Sequence, residues 1–408
     1  MFLQYFVWGS WNVSMASYLS KTLQFGGEQI GLAYGAFAIG AMISPFFVGL
    51  IADRYFASEK ILAFLGIVGG LLLFILPQTT TFGSFYPIMI IYCASYVPTI
   101  ALGTSLSLHH LTNPKRDLPF VKAFSAVGWI AGGVTLSVIF EGELSAIQFY
   151  LAGTASLFLG LFSLVLPHTP PKKIGKDVKL SEILGLDALA LMKKRSFAIF
   201  ITCIFLICIP LYFYFVNMNL YVTELGWKYT VAKMSYAQVS DVIFLLLLPL
   251  MLRYFGYKKT IFIGILAWVA RYFLLAGSVD AISMQTAFVY IAILLHGICY
   301  DFLFITGQLY VDSEANERIR GAAQGLIAFT LWGVGAFVGT HLAGISLASH
   351  TLSTPVGSIA HDWQGIWIYP AWGALAVLII FMIFFRESGK KIEAPIIAGR
   401  KEESLEVP

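Results

Sequence analysis

Residues 168–195 read HTPPKKIGKDVKLSEILGLDALALMKKR, the longest polar stretch of the chain, with two prolines and seven Lys or Arg residues. Working outward from it, six runs long and apolar enough to cross a bilayer precede it, near 1–21, 29–53, 59–78, 85–110, 118–140 and 146–166. Six more follow, near 197–223, 230–255, 259–278, 284–311, 321–348 and 365–385. The pattern predicts an all-α membrane protein of twelve transmembrane helices in two six-helix bundles. Their bounds are 1–167 and 196–388, with a cytoplasmic linker at 168–195 and a cytoplasmic tail at 389–408.

Composition agrees: 58% of the 408 residues are hydrophobic and only 12% charged, about half the charged share of an average soluble domain. Of the 26 Lys and Arg residues, 21 fall on the face that holds the linker and the tail. Cytoplasmic loops carry the excess of cations, so both termini are expected in the cytoplasm and the chain in the inner membrane. The net charge of +4 sits in short loops and gives no argument for nucleic acid. Cys93, Cys203, Cys208 and Cys299 lie inside apolar runs without metal-site spacing and read as small apolar filler. No cleavable signal is visible, because Met1 opens directly into an apolar run without a basic lead.

Charged groups at a helix centre persist only where they face a cavity or a partner. Lys122, Asp241, Arg271 and Asp301 are such groups. Burial disfavours the ionised form of a carboxyl, so Asp301 is a candidate proton carrier; a permanent ion pair with Arg271 on the preceding helix is the structural alternative. Gln238 and Asp241, at i and i+3, share a helix face and suit a ligand with hydroxyls and ring nitrogens, or else clamp two helices. Lys122, Ser125 and Trp129 form a second stripe, in which Lys122 either donates to ligand oxygens or snorkels to the nearby cytoplasmic interface. Gln4, Trp8, Trp11 and Asn12 form a third, with Trp8 either in the site or an interface anchor. His109 and His110 read as loop-proximal polar residues rather than metal ligands. No phosphate-cradling loop, nucleophile elbow or metal spacing is present, which argues against an enzyme and against any cofactor.

Gly49-Leu50-Ile51-Ala52-Asp53-Arg54 closes the second predicted helix, where Asp53 and Arg54 suit an ion pair that forms in one access state and opens in the other. Its position resembles the signature of the major facilitator superfamily. Further stretches follow in order: Phe2-Leu3-Gln4 with Trp8-Gly9-Ser10-Trp11, Tyr96-Val97-Pro98-Thr99, Leu184-Gly185-Leu186-Asp187-Ala188, Gln238 through Asp241, Tyr300-Asp301, Arg320-Gly321-Ala322-Ala323-Gln324-Gly325 and Asp362-Trp363-Gln364. Together they resemble the nucleoside:proton symporter family across essentially the whole chain.

The resemblance implies a major facilitator fold and proton-coupled nucleoside uptake through a cavity between the two halves; a monomer is the default expectation. It places substrate binding on Lys122, Trp129, Gln238, Asp241, His296 and Tyr300, while burial makes Asp301, and second Asp241, the candidates for proton coupling. The chain departs from the family at several of these. Asp241 stands for a longer Glu, Lys122 for Arg, Ala126 for Thr, Trp129 for Phe and His296 for Tyr, and Lys for Arg gives up planar bidentate donation. Another sugar-bearing metabolite is therefore a rival cargo, and a non-transporting membrane sensor is the rival of another class.

Overall fold

The computed structural model describes residues 1–47, 55–171, 186–353 and 359–387. In lipid a backbone must satisfy its own N–H and C=O groups, which is why the long apolar runs fold as helices. The first run is broken into α1 (Phe2–Trp11) and α2 (Met15–Lys21). Tyr34 spans the break: its hydroxyl donates to the Asn12 carbonyl at 2.7 Å and accepts from the Ala16 N–H at 3.2 Å. There follow α3 (Gly27–Phe47), α4 (Ser58–Ile75), α5 (Phe82–His110), α6 (Pro114–Val134) and α7 (Ile147–Ser163).

Beyond the linker come α8 (Arg195–Glu224), the short α9 (Thr230–Met234) and α10 (Tyr236–Asp280). Then come α11 (Gln285–Leu294), α12 (His296–Tyr300), α13 (Thr306–Glu314), α14 (Arg320–Ala328), α15 (Gly335–Ser349) and α16 (Trp363–Phe384). The two helices expected at 230–255 and 259–278 run on as α10, which is broken only at Gly256. There φ is +71°, in the left-handed region that favours glycine. A small hairpin, β1 (Thr351–Ser353) against β2 (Ile359–His361), precedes α16, whose first turn is capped by the Asp362 carboxylate on the Gly365 N–H at 3.1 Å.

Among the described residues, seven helices are long and apolar enough to cross a membrane, and the bent pair Gln285–Leu294 with His296–Glu314 adds an eighth. Before the linker, α4 lies along α7, α1 along α6, and α3 along α5. After it, α10 packs on α16, α11 and α12, while α8 packs on α15 and α16. The two sets meet where α3 crosses α15, and there the backbones touch: a Cβ on Gly31 would lie 2.5 Å from the Thr340 carbonyl oxygen. Wide π turns interrupt the helices at Asp301–Ile305 and Phe329–Val334. Such turns re-aim side chains and recur at functional sites.

Candidate substrate and proton site

A cavity of about 440 Å³ lies between the two sets of helices. All six residues expected to bind substrate line it: Lys122 and Trp129 from α6, Gln238 and Asp241 from α10, and His296 and Tyr300 from α12. The α1/α6 crossing that carries Trp129 is as close as backbones allow, since a Cβ on Gly9 would sit 2.3 Å from the Trp129 carbonyl oxygen. That crossing sets Trp8 edge-on to Trp129, with ring centres 5.1 Å apart, while its other side stacks on Phe37 at 4.7 Å. Trp8 thus belongs to the cavity wall, together with Asn12, whereas Gln4 and Trp11 are tied into the first set of helices. Gln4 donates to Thr99 at 2.9 Å and Trp11 donates to the Tyr92 hydroxyl at 3.0 Å.

On the opposite wall the His296 ring stacks between Tyr214 and Tyr300, each 5.8 Å from it. Asp301 does not line the cavity. It is buried at the first residue of the π turn, and its carboxyl meets that of Asp241 within hydrogen-bond reach. A proton on either member would let the two carboxyls hydrogen-bond to each other. Among the described residues no donor reaches Asp241 Oδ1 or Asp301 Oδ2, both of which are buried. The pair is thus reached from the cavity through Asp241.

The structural alternative, an Arg271–Asp301 ion pair, is not formed. Arg271 is fully buried, its Nε donates to the Ala292 carbonyl at 2.8 Å, and its guanidinium packs over Tyr214 at 4.2 Å and Trp268 at 4.8 Å. A planar, weakly hydrated cation can be held by aromatic faces in place of a carboxylate. Lys122 is exposed at the cavity edge. His110 Nε2 lies 2.8 Å from Thr169 Oγ1, and no metal-holding cluster occurs among the described residues. Asp53 and Arg54 lie outside the described residues.

Tyr34, Phe37, Tyr212, Phe215 and Trp332 also line the cavity and were not singled out from the sequence. An aromatic residue in an apolar run reads the same whether it faces lipid or ligand, so no signal separated them.

Several hydrogen bonds that join the two sets gather at one end of the molecule among the described residues. Lys21 Nζ lies 2.6 Å from Glu224 Oε1, donates also to the Ile359 carbonyl, and shares Glu224 with His361 at 2.8 Å and the Trp363 indole N–H at 2.6 Å. Beside this clasp, Ser17 donates to Asn219 at 2.6 Å. Glu143 accepts from the backbone N–H groups of Thr230 at 3.1 Å and Val231 at 2.8 Å, capping the first turn of α9 from the other set.

Residues 1–390 match the family described as Nucleoside H+ symporter. The chain belongs to the nucleoside H+ symporter family. Within it the chain is 38% identical to the "Putative nucleoside transporter YegT" of Escherichia coli K12, over 97% of this chain and 94% of that one. It is 31% identical to the xanthosine permease of the same strain, over 94% of each. The crystal structure of nucleoside transporter NupG superposes with a TM-score of 0.85 at 28% identity, over 95% of this chain and 97% of that one. The relatives of this nucleoside H+ symporter family member are transporters, and its helices make it a multi-pass membrane protein.

Proposed function

We propose that this protein takes nucleosides into the cell together with protons, by alternating access to the central cavity. The observation that carries the reading is the Asp241–Asp301 carboxyl pair, one member on the cavity wall and the other buried behind it. A proton entering from the cavity reaches Asp241 first and passes to Asp301 through their contact. Substrate hydroxyls then find Gln238 and Asp241 on one wall, while a flat base finds Trp8 and Trp129 on the other. Protonation removes negative charge from the loaded cavity and lets the helix sets rock about it.

In this reading twelve crossings form two six-helix bundles, 1–167 and 196–388. Both termini, the 168–195 linker and the 389–408 tail are cytoplasmic in the inner membrane, and the unit is a monomer surrounded by lipid. Asp53 and Arg54 make and break an ion pair between access states. The joined end, with Lys21, Glu224, Glu143 and the hairpin, is then the outer face.

Uptake of labelled uridine and adenosine into proteoliposomes, with and without an inward proton gradient, tests the proposal. Accumulation that needs the gradient and is abolished by an uncoupler supports it. Folded protein with no flux of either nucleoside overturns it. A second cargo, another sugar-bearing metabolite, is favoured by the cavity itself, because Lys122, Ala126, Trp129 and His296, which depart from the family pattern, all line it. Competition by a panel of sugars separates the two.

A further inference from the structure

We infer that Asn12 is a specificity-determining residue, which reads a single hydroxyl or amino group of the substrate in a crevice at the side of the central cavity. The inference rests on the nucleoside reading above. The crevice has room for about 30 Å³ and shares Asn12, Trp129, Phe215, Gln238 and His296 with the main cavity. That space suits one water molecule or one small substituent.

Asn12, Ser235, Gln238 and His296 are its polar side chains, set among rings and apolar groups. The Asn12 side-chain amide makes no hydrogen bond to the protein among the described residues, while its backbone carbonyl is held by Tyr34 at 2.7 Å. The backbone at the helix break is therefore anchored, and the amide is left for a ligand. His296, which also lines the crevice, is 6% exposed, and among the described residues neither its Nδ1 nor the buried Tyr214 hydroxyl has a partner. Ser235 is already committed to the Val231 carbonyl at 3.1 Å. Trp129 and Phe215 also line the crevice, whose space of about 30 Å³ limits what can enter to a small group. A carboxamide both donates and accepts, and a site built to hydrogen-bond a hydroxyl or amine rejects the analogue that lacks it far more strongly than an apolar pocket rejects a missing methylene.

Two parts of a nucleoside supply this chemistry, the ribose hydroxyls and the polar edge of the base. The experiment measures competition against labelled uptake by analogue pairs that differ in one group: 2′-, 3′- and 5′-deoxyribose pairs in one arm, adenosine against inosine and cytidine against uridine in the other. Wild type is expected to separate one pair by at least about tenfold. Asn12→Ala should collapse that gap to within about twofold while the ratios of the other pairs stay put. It should also admit a methyl-bearing analogue that wild type excludes. Asn12→Asp keeps the size but only accepts, so it should retain analogues that donate at this position and lose those that only accept. The arm that holds the collapsing pair identifies which part of the substrate enters the crevice.

Unchanged ratios in both variants, with uptake retained, overturn the inference and leave nucleoside transport standing; so does a uniform shift of every pair. No nucleoside uptake by folded wild type sinks the proposed function first, and this inference with it. Melting curves of both variants guard against reading misfolding as lost affinity. If Asn12→Ala does not fold, the donor-against-acceptor split in Asn12→Asp decides.

Discussion

The Asp241–Asp301 contact makes a separable prediction for each carboxyl. Asp301→Asn removes a titratable group that does not line the cavity, so gradient-driven accumulation should vanish while nucleoside binding persists within a few-fold. Asp241→Asn touches both functions and should weaken binding as well, by about tenfold for a charged hydrogen-bond partner. Tryptophan fluorescence reports binding, since Trp8 and Trp129 line the cavity; counterflow, which needs no gradient, checks that Asp301→Asn still exchanges substrate. Accumulation that survives in Asp301→Asn removes it from proton coupling. Arg271 argues the other way, as an architectural charge. Arg271→Lys loses the planar stacking on Tyr214 and Trp268, and should cost about 2 kcal/mol of stability, read as a lower melting temperature in detergent. The four intramembrane charges were legible in the sequence because a charge in an apolar run stands out by its solvation cost. Their partners were not, because adjacency along the chain says nothing about rotation: Asp301, at the start of a π turn, contacts α10 at Asp241 and not at Arg271.

At the scale of helices, the break after α1 and the π turns near the cavity help decide which side chains face it, and hydropathy alone does not show them. An apolar run of about 20 residues looks the same straight or broken, so the first run read as one helix and the junction at Gly256 as a loop. The clasp was invisible for a related reason: Lys21, Glu143, Glu224 and His361 are ordinary loop-end residues until the fold brings them together. Glu143 crosses between the sets to cap α9, and Glu224 gathers Lys21, His361 and Trp363. The double variant Glu143→Ala with Glu224→Gln should therefore shift the population toward the opposite access state. Spin labels on cysteines placed at the exposed Leu144 and Ile282, one in each set, report it by double electron–electron resonance. A growing long-distance component is expected, and an unchanged distribution would show that the clasp does not hold this state.

For the whole molecule, the decisive quantity is the net charge carried per cycle. Lys122, Arg271 and the carboxyl pair travel out and back with the protein, so their charges cancel over a complete cycle, and only the proton and the substrate are left on the balance. A neutral nucleoside with one proton moves one positive charge inward. A potential of 100 mV, inside negative, then supplies about 2.3 kcal/mol, enough to concentrate the nucleoside roughly fiftyfold with no pH gradient at all. Proteoliposomes clamped with potassium and valinomycin at equal pH on both sides isolate this force. Accumulation should rise about sevenfold for each 50 mV step and approach that limit at 100 mV. A slope twice as steep on the logarithmic scale would mean two protons per nucleoside, with both carboxyls of the pair loading. Flat accumulation against voltage, with a pH gradient still effective, would require a compensating charge to leave with each turnover, and a buried pair that only swaps protons with a cavity open to one side at a time has no route for one.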